Sequence, residues 1–152
     1  MIRIATKNDI SFVCQNMRAE DYLECQHSEP GFSPETMAEF VSGYKGFTLC
    51  AIDNDGVPAG IGGINYGDGQ YGTAWAVGTD DFSHVALEIT RACKKACHKY
   101  LERYNTMLFA NSWDEHSGSA KWLSLLGFEP VNQYNSNKQP FTLFAMGEVS
   151  GQ

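Results

Sequence analysis

Apolar and charged residues alternate over residues 1–5, the period of a half-buried strand, and Thr6 with Asp9 three positions on has the form of a helix N-cap. Ile10, Phe12, Val13, Met17, Tyr22 and Leu23 follow at a broken 3.6-residue period. They predict a helix running to about Glu24, ended by Glu29-Pro30-Gly31. Ser33-Pro34 predicts a second, shorter helix, with serine as cap and proline in the first turn, carrying Met37 and Phe40 inward. Residues 47–53 and 57–66 read as strands joined through the hairpin signal Asn54-Asp55-Gly56. Gly67-Asp68-Gly69 predicts the next turn and residues 71–77 a third strand, so an antiparallel meander forms. Gly60, Gly62 and Gly63 weaken its middle strand and mark either a bulge or the close approach of another backbone or a ligand.

The helical period returns after residues 78–81, where Val85, Leu87, Ile89, Ala92, Cys93, Ala96, Tyr100 and Leu101 mark the inner stripe of the longest element. Residues 107–110 form a buried strand, 117–126 a short helix closed by Gly127, and 141–146 a last strand. The expected order is βα(α)βββαβαβ, an α/β (α+β) arrangement in one domain spanning residues 1–152. That length supports a core without disulfides or metal.

Charge narrows the function. The 18 acidic against 11 basic side chains give a net charge of -7, which opposes binding to nucleic acid. Arg91, Lys94, Lys95, Lys99 and Arg103 cluster on the long helix, where they are expected to form its solvated face. The five cysteines carry no C-x-x-C pair and fit a reducing cytosol. Cys93, Cys97 and His98 do not share one helix face, so no metal is expected there. The apolar stretches are far shorter than the ~18 residues of a membrane helix. Nucleotide hydrolysis and dinucleotide cofactors are disfavoured too: Gly60-Ile61-Gly62-Gly63 lacks the Lys-Ser/Thr of a P-loop, and no G-x-G-x-x-G opens a helix.

The order of elements, closed by Leu126-Gly127-Phe128, resembles the Gcn5-related N-acetyltransferase (GNAT) fold over nearly the whole chain. A closer resemblance is to a tailed-bacteriophage branch of acetyltransferase-like proteins that includes internal virion protein A of T7-like phages. It is carried by residues 16–21, Trp75 with Thr79, Tyr104 before Met107-Leu108, Lys121-Trp122-Leu123 and residues 141–144. The resemblance implies a mixed, mostly antiparallel sheet flanked by helices, and acetyl-CoA in a cleft where the third meander strand splays from the strand after the long helix. It implies that Trp75, Ala76 and Val77 hold the pantetheine arm, and that Asp80, Ser83, His84 and Val85, at the start of the long helix, receive the pyrophosphate. Two departures stand out. The family's phosphate loop falls on residues 84–89, with Leu87 and Ile89 in place of its glycines, and Leu123 stands where many members carry a proton-donating tyrosine. His116 aligns with a coenzyme-facing asparagine and offers a group that titrates near neutrality, or else a plain surface histidine.

Arg18, Asp21 and Glu24 lie at i, i+3 and i+6, so one helix ridge carries a cation and two carboxylates. Asp21 or Glu24 is the candidate base for an amine; Arg18 and Asn65 are the candidates for holding the acceptor. The bland alternative is an exposed Arg-Asp pair. Trp75 and Trp122 belong to a pocket or to the core, whereas Trp113, between polar neighbours, is expected at the surface as a contact residue. Two functions follow: an acyl-CoA-dependent N-acyltransferase of a protein or small amine in the host cytoplasm, or a non-catalytic assembly protein retaining the fold and binding a virion or host protein.

Overall fold

A computed structural model of the protein describes residues 1–66 and 70–147; the turn expected at Gly67-Asp68-Gly69 lies outside them. The elements are β1 (Ile2–Ile4), α1 (Lys7–Gln15), α2 (Ala19–Ser28), α3 (Pro34–Ser42), β2 (Gly46–Ile52), β3 (Pro58–Asn65), β4 (Gly72–Gly78), α4 (Phe82–Tyr104), β5 (Leu108–Trp113), α5 (Ser117–Leu126), β6 (Glu129–Ser136) and β7 (Gln139–Met146). The strands form one sheet in the order β1-β2-β3-β4-β5-β7-β6. Each pairing is antiparallel except β4 with β5.

Local chemistry sets the element ends. Thr6 Oγ1 accepts from the Asp9 N–H while the Asp9 carboxylate accepts from the Thr6 N–H, closing a capping box; Ser33 and Thr36 repeat the device at α3. At the β2–β3 hairpin, Asp53 Oδ1 accepts from the N–H groups of Asp55 and Val57. Gly127, at φ 108°, ends α5 in the left-handed region, which glycine adopts without a Cβ penalty.

The single helix expected up to Glu24 is two. The chain breaks at Asn16–Arg18 because Met17 leaves the helix to pair with Thr79, just past β4. A seventh strand, β6, also joins the expected set. It has no apolar period, since its side chains are mostly exposed, and it turns into β7 through Asn137 and Lys138, both at positive φ, without a glycine to announce the hairpin.

Helices cover both faces of the sheet. Ile10, Val13 and Val41 meet Cys50, Ile61 and Val77 on one face. Val85, Ile89, Cys93 and Cys97 of α4 and Leu123 and Leu126 of α5 meet Ile64, Leu108 and Phe144 on the other. Burial pushes the thiols of Cys93 and Cys97 up to about 12, so both serve as small apolar groups. The five basic residues of α4 face outward. None of the described helices is long and apolar enough to cross a membrane.

The glycines of β3 mark close approach, by the chain itself. A Cβ on Gly63 would run into the Phe47 carbonyl, and one on Gly60 would lie 2.9 Å from the Phe82 ring. Phe82 also fills the space beside Gly78, where β4 meets α4. Gly78→Ala must therefore displace Phe82 and is expected to cost about 1–3 kcal/mol in urea unfolding. Gly118→Ala, whose added carbon meets no atom nearer than 3.5 Å, should cost nothing measurable.

A candidate active site between two splayed strands

Strands β4 and β5 pair only at Gly72 with Leu108 and Thr73 with Phe109, then diverge. The direction of their remaining main-chain groups follows from their outer neighbours. The Thr79 N–H donates to the Ala59 carbonyl, so by antiparallel alternation Val77 and Trp75 bond to β3, while Ala76 and Gly78 turn their N–H and C=O away from it. On the other side the Asp114 N–H donates to the Pro140 carbonyl, so Asn111 and Trp113 turn theirs away from β7. The groups of Ala76, Gly78, Asn111 and Trp113 thus face one another across the gap.

At its wide end α2 supplies the partners. The Asp21 carboxylate accepts from the Gly78 N–H at 2.7 Å and from Arg18 Nε at 2.8 Å, and the Arg18 N–H donates to the Gly78 carbonyl. Three residues along the same helix, Glu24 accepts from the Trp113 N–H at 2.9 Å. His116, the N-cap of α5, joins the two sides: its Nε2 lies 2.6 Å from Asp21 Oδ1, and its Nδ1 accepts from the Ser119 N–H. Donation by Ser119 requires a bare Nδ1, so in this arrangement Nε2 carries the proton and donates to Asp21. Asp21 and His116 are only 2% and 5% exposed. The Arg18 guanidinium lies 4.4 Å from the centre of the Phe82 ring, which shields the cluster at the start of α4.

These charges set the titration. Burial pushes Glu24 above the ordinary carboxylate range, against the Trp113 N–H and the His116 charge, which stabilise its ionised form. For His116, burial opposes the imidazolium, yet the bond to Asp21 and the charge of Glu24 outweigh it and raise its pKa. When His116 takes up a second proton at Nδ1, giving up the Ser119 bond, its charge and that of Arg18 offset those of Asp21 and Glu24, which makes their burial tolerable.

Inward of the cluster the gap opens into a cavity of about 540 Å3. Residues 73–77 of β4 wall one side, Ala110 and Asn111 of β5 the other, and Ser119, Trp122 and Leu123 of α5 close the far face. Residues 28–32 and the α3 residues Met37 and Phe40, with Tyr44, form the near face. Glu24 lines it; Asp21, Arg18, His116 and Asn65 do not. Cys25, also on the wall, has its thiol pushed up to about 12 by burial and the nearby carboxylates, which removes it as a nucleophile.

Trp75, Ala76 and Val77 thus lie on the cavity wall. Asp80 sits in the turn before α4, and Ser83 and His84 are exposed on its first turn, whereas Val85 points into the core. Because α4 begins at Phe82, residues 84–89 are helix rather than loop: Leu87 is 64% exposed and Ile89 is fully buried. Trp113 is a correction to the sequence reading. It ends β5 at 6% exposure, with its ring 4.8 Å from His27 and its Nε1 donating to Gln139, so it is no contact residue. The sequence spacing identified Arg18, Asp21 and Glu24 as one ridge, but Ser119, Tyr44 and Asn111 carry no sequence signal, because they converge only through the splay.

Removing one charge from the cluster strands the others, so Asp21→Asn is expected to lose about 3 kcal/mol in denaturant unfolding. The raised pKa of His116 adds stability that is fully present below the unfolded value of about 6.5 and is lost as pH rises through the folded one. Glu24 has the same sign. The melting temperature should therefore fall between pH 6 and pH 8, roughly the interval over which imidazole gives up its charge, and His116→Gln should flatten that dependence.

No family model matches this sequence, and no curated protein does. Solved structures do. The ribosomal-protein-S5-alanine acetyltransferase from Vibrio fischeri superposes with a TM-score of 0.69 at 17% identity, over 99% of this chain and 94% of that one. A GNAT superfamily phosphinothricin acetyltransferase from Sinorhizobium meliloti, in complex with AcCoA, gives 0.69 at 13%, over 100% and 90%. The spermidine N-acetyltransferase from Vibrio cholerae, in complex with CoA and spermine, gives 0.67 at 11%, over 97% and 94%. The chain has the GNAT fold along its whole described length.

Proposed function

We propose that the protein is an acyl-CoA-dependent N-acyltransferase that joins the acyl donor and an amine within the β4–β5 gap. The observation that carries this reading is the cavity bounded by the inward-facing main chain of Ala76 and Asn111, with the carboxylate of Glu24 on its wall. A pantetheine arm is a slender chain of amides, and a splayed strand with main-chain groups turned inward matches it. Ala76 would hold the arm, with Trp122 and Leu123 against its thiol end. When bound, the coenzyme supplies an acyl carbon activated as a thioester.

The nucleotide end fits less well. Asp21 takes the Gly78 N–H, the Phe82 ring fills the space beside Gly78, and the Asp80 and Asp81 carboxylates flank the start of α4. Each of these opposes a diphosphate, so the arm is expected to contribute most of the affinity.

Glu24 is the proton acceptor for the amine, since burial raises its basicity and it reaches the cavity. Asp21, saturated by three donors, positions His116 and β4 instead. Leu123 has no proton to give, so the thiolate departs as the anion and the proton that Glu24 takes from the amine balances it through water. The closed diphosphate position favours a second reading, a fold retained for binding a virion or host protein, in line with the phage resemblance.

Purified protein given acetyl-CoA and a primary amine should release CoA, and Glu24→Gln should lower kcat about 10²-fold while KM for acetyl-CoA stays unchanged. Absence of calorimetric heat with millimolar acetyl-CoA, together with co-purification with virions, would establish the binding role and end the catalytic one.

A further inference from the structure

The cavity reaches beyond the strand gap, and its outer half has its own chemistry. Its walls are Phe32, Met37, Phe40, Tyr44 and Trp75, with the Tyr44 and Trp75 rings edge to face at 5.8 Å. Charge enters only through carboxylates. Glu24 and Glu29 line the cavity, and no lysine, arginine or histidine does among the described residues. The cations of the adjoining cluster are committed elsewhere: Arg18 to Asp21 and the Phe82 ring, His116 to Asp21.

We propose that this outer half binds a monoamine on an aromatic or alkyl body, its ammonium paired with Glu24 and its apolar part against the aromatic wall. Charge and size select against the alternatives. An amino acid or any acceptor with a carboxylate or phosphonate would bring an anion beside Glu24 and Glu29, with no wall cation among the described residues to receive it, and like charges repel. A polyamine would need an anion for each further charge, and the one further carboxylate on the wall, Glu29, is exposed at the end of α2. A single ammonium suits the wall, because aromatic faces attract it and Glu24 neutralises it. The volume of about 540 Å3 must also accommodate the thioester arm, which leaves room for a small body only.

This inference rests on the acyl-transfer reading for its purpose, but its test does not, because binding is measured without any thioester. Calorimetry on the wild-type protein would compare 2-phenylethylamine with its neutral isostere 2-phenylethanol, the anion 3-phenylpropanoate, phenylalanine and spermidine. The amine should bind at least tenfold more tightly than each of the others. In Glu24→Gln, which keeps an acceptor for the Trp113 N–H, the amine and the alcohol should bind alike. Equal binding of amine and alcohol to the wild type, tighter binding of phenylalanine or spermidine, or no binding of the amine at millimolar concentration would overturn the proposal. Should Glu24→Gln fail to fold, the wild-type ligand series decides alone. Amine binding without acetyl transfer would retain this proposal and remove the catalytic one.

Discussion

Two strands that part company leave main-chain donors facing each other with nothing between them, and a buried N–H without an acceptor costs about 1–3 kcal/mol. In this protein two carboxylates one helical turn apart on α2 answer that demand, Asp21 for β4 and Glu24 for β5. Much else follows from this arrangement. The helix must break at Asn16–Arg18 so that α2 can reach the gap, Arg18 must accompany it as counter-charge, and His116 must leave the surface to bond Asp21. A hydrophobic plug would fill the same space but leave both N–H groups orphaned, so the polar solution is tied to the splay itself.

The clasp divides the gap into unlike halves. At the wide end every main-chain group named above has a partner from within the chain, and Phe82 with Arg18 seals it from solvent. Inward, Ala76 and Asn111 line the cavity, and the walls turn mostly apolar. Glu24 belongs to both halves. One of its oxygens serves the Trp113 N–H while the side chain lines the cavity, so it is held in place by structure and presented to a ligand at once. Asp21, one turn away on the same helix, has all its capacity spent on protein donors.

Much of the architecture was legible in the sequence because it depends on local signals. The capping residues Thr6 and Ser33, the Asn54-Asp55-Gly56 hairpin, the stripe of α4 and Gly127 each act within a few residues and lie where their chemistry predicts, except that Leu87, expected in the stripe, is at the surface. What escaped was non-local. The β6 strand is specified by pairing with β7 rather than by its own pattern, and the break in the first helix is specified by Thr79, distant in sequence. Trp113 was misplaced for the same reason: its polar neighbours Asp114 and Glu115 turn outward, while its own ring is covered by His27 from α2. At the site, helical spacing put Arg18, Asp21 and Glu24 on one ridge, but only the sheet could reveal that this ridge faces two strand ends instead of water.

The same constraint explains why the start of α4 departs from a glycine-lined phosphate cradle. A cradle needs free N–H groups and backbone without side chains at the end of β4. Here Gly78 is the glycine at that junction, and the space its missing Cβ leaves is used by Phe82, packed also against Gly60. Phe82 in turn supports the Arg18 guanidinium that balances Asp21. Restoring glycines farther along, at Leu87 or Ile89, would not recreate the cradle, because those positions lie within the helix, one at the surface and one in the core. Any anion placed there would have to compete with Asp21 for the Gly78 N–H and displace Arg18 from its ring. The closed end and the open cavity therefore share one element, α2, which spends Asp21 on the end of β4 and, one turn on, presents Glu24 to the cavity from the Trp113 N–H.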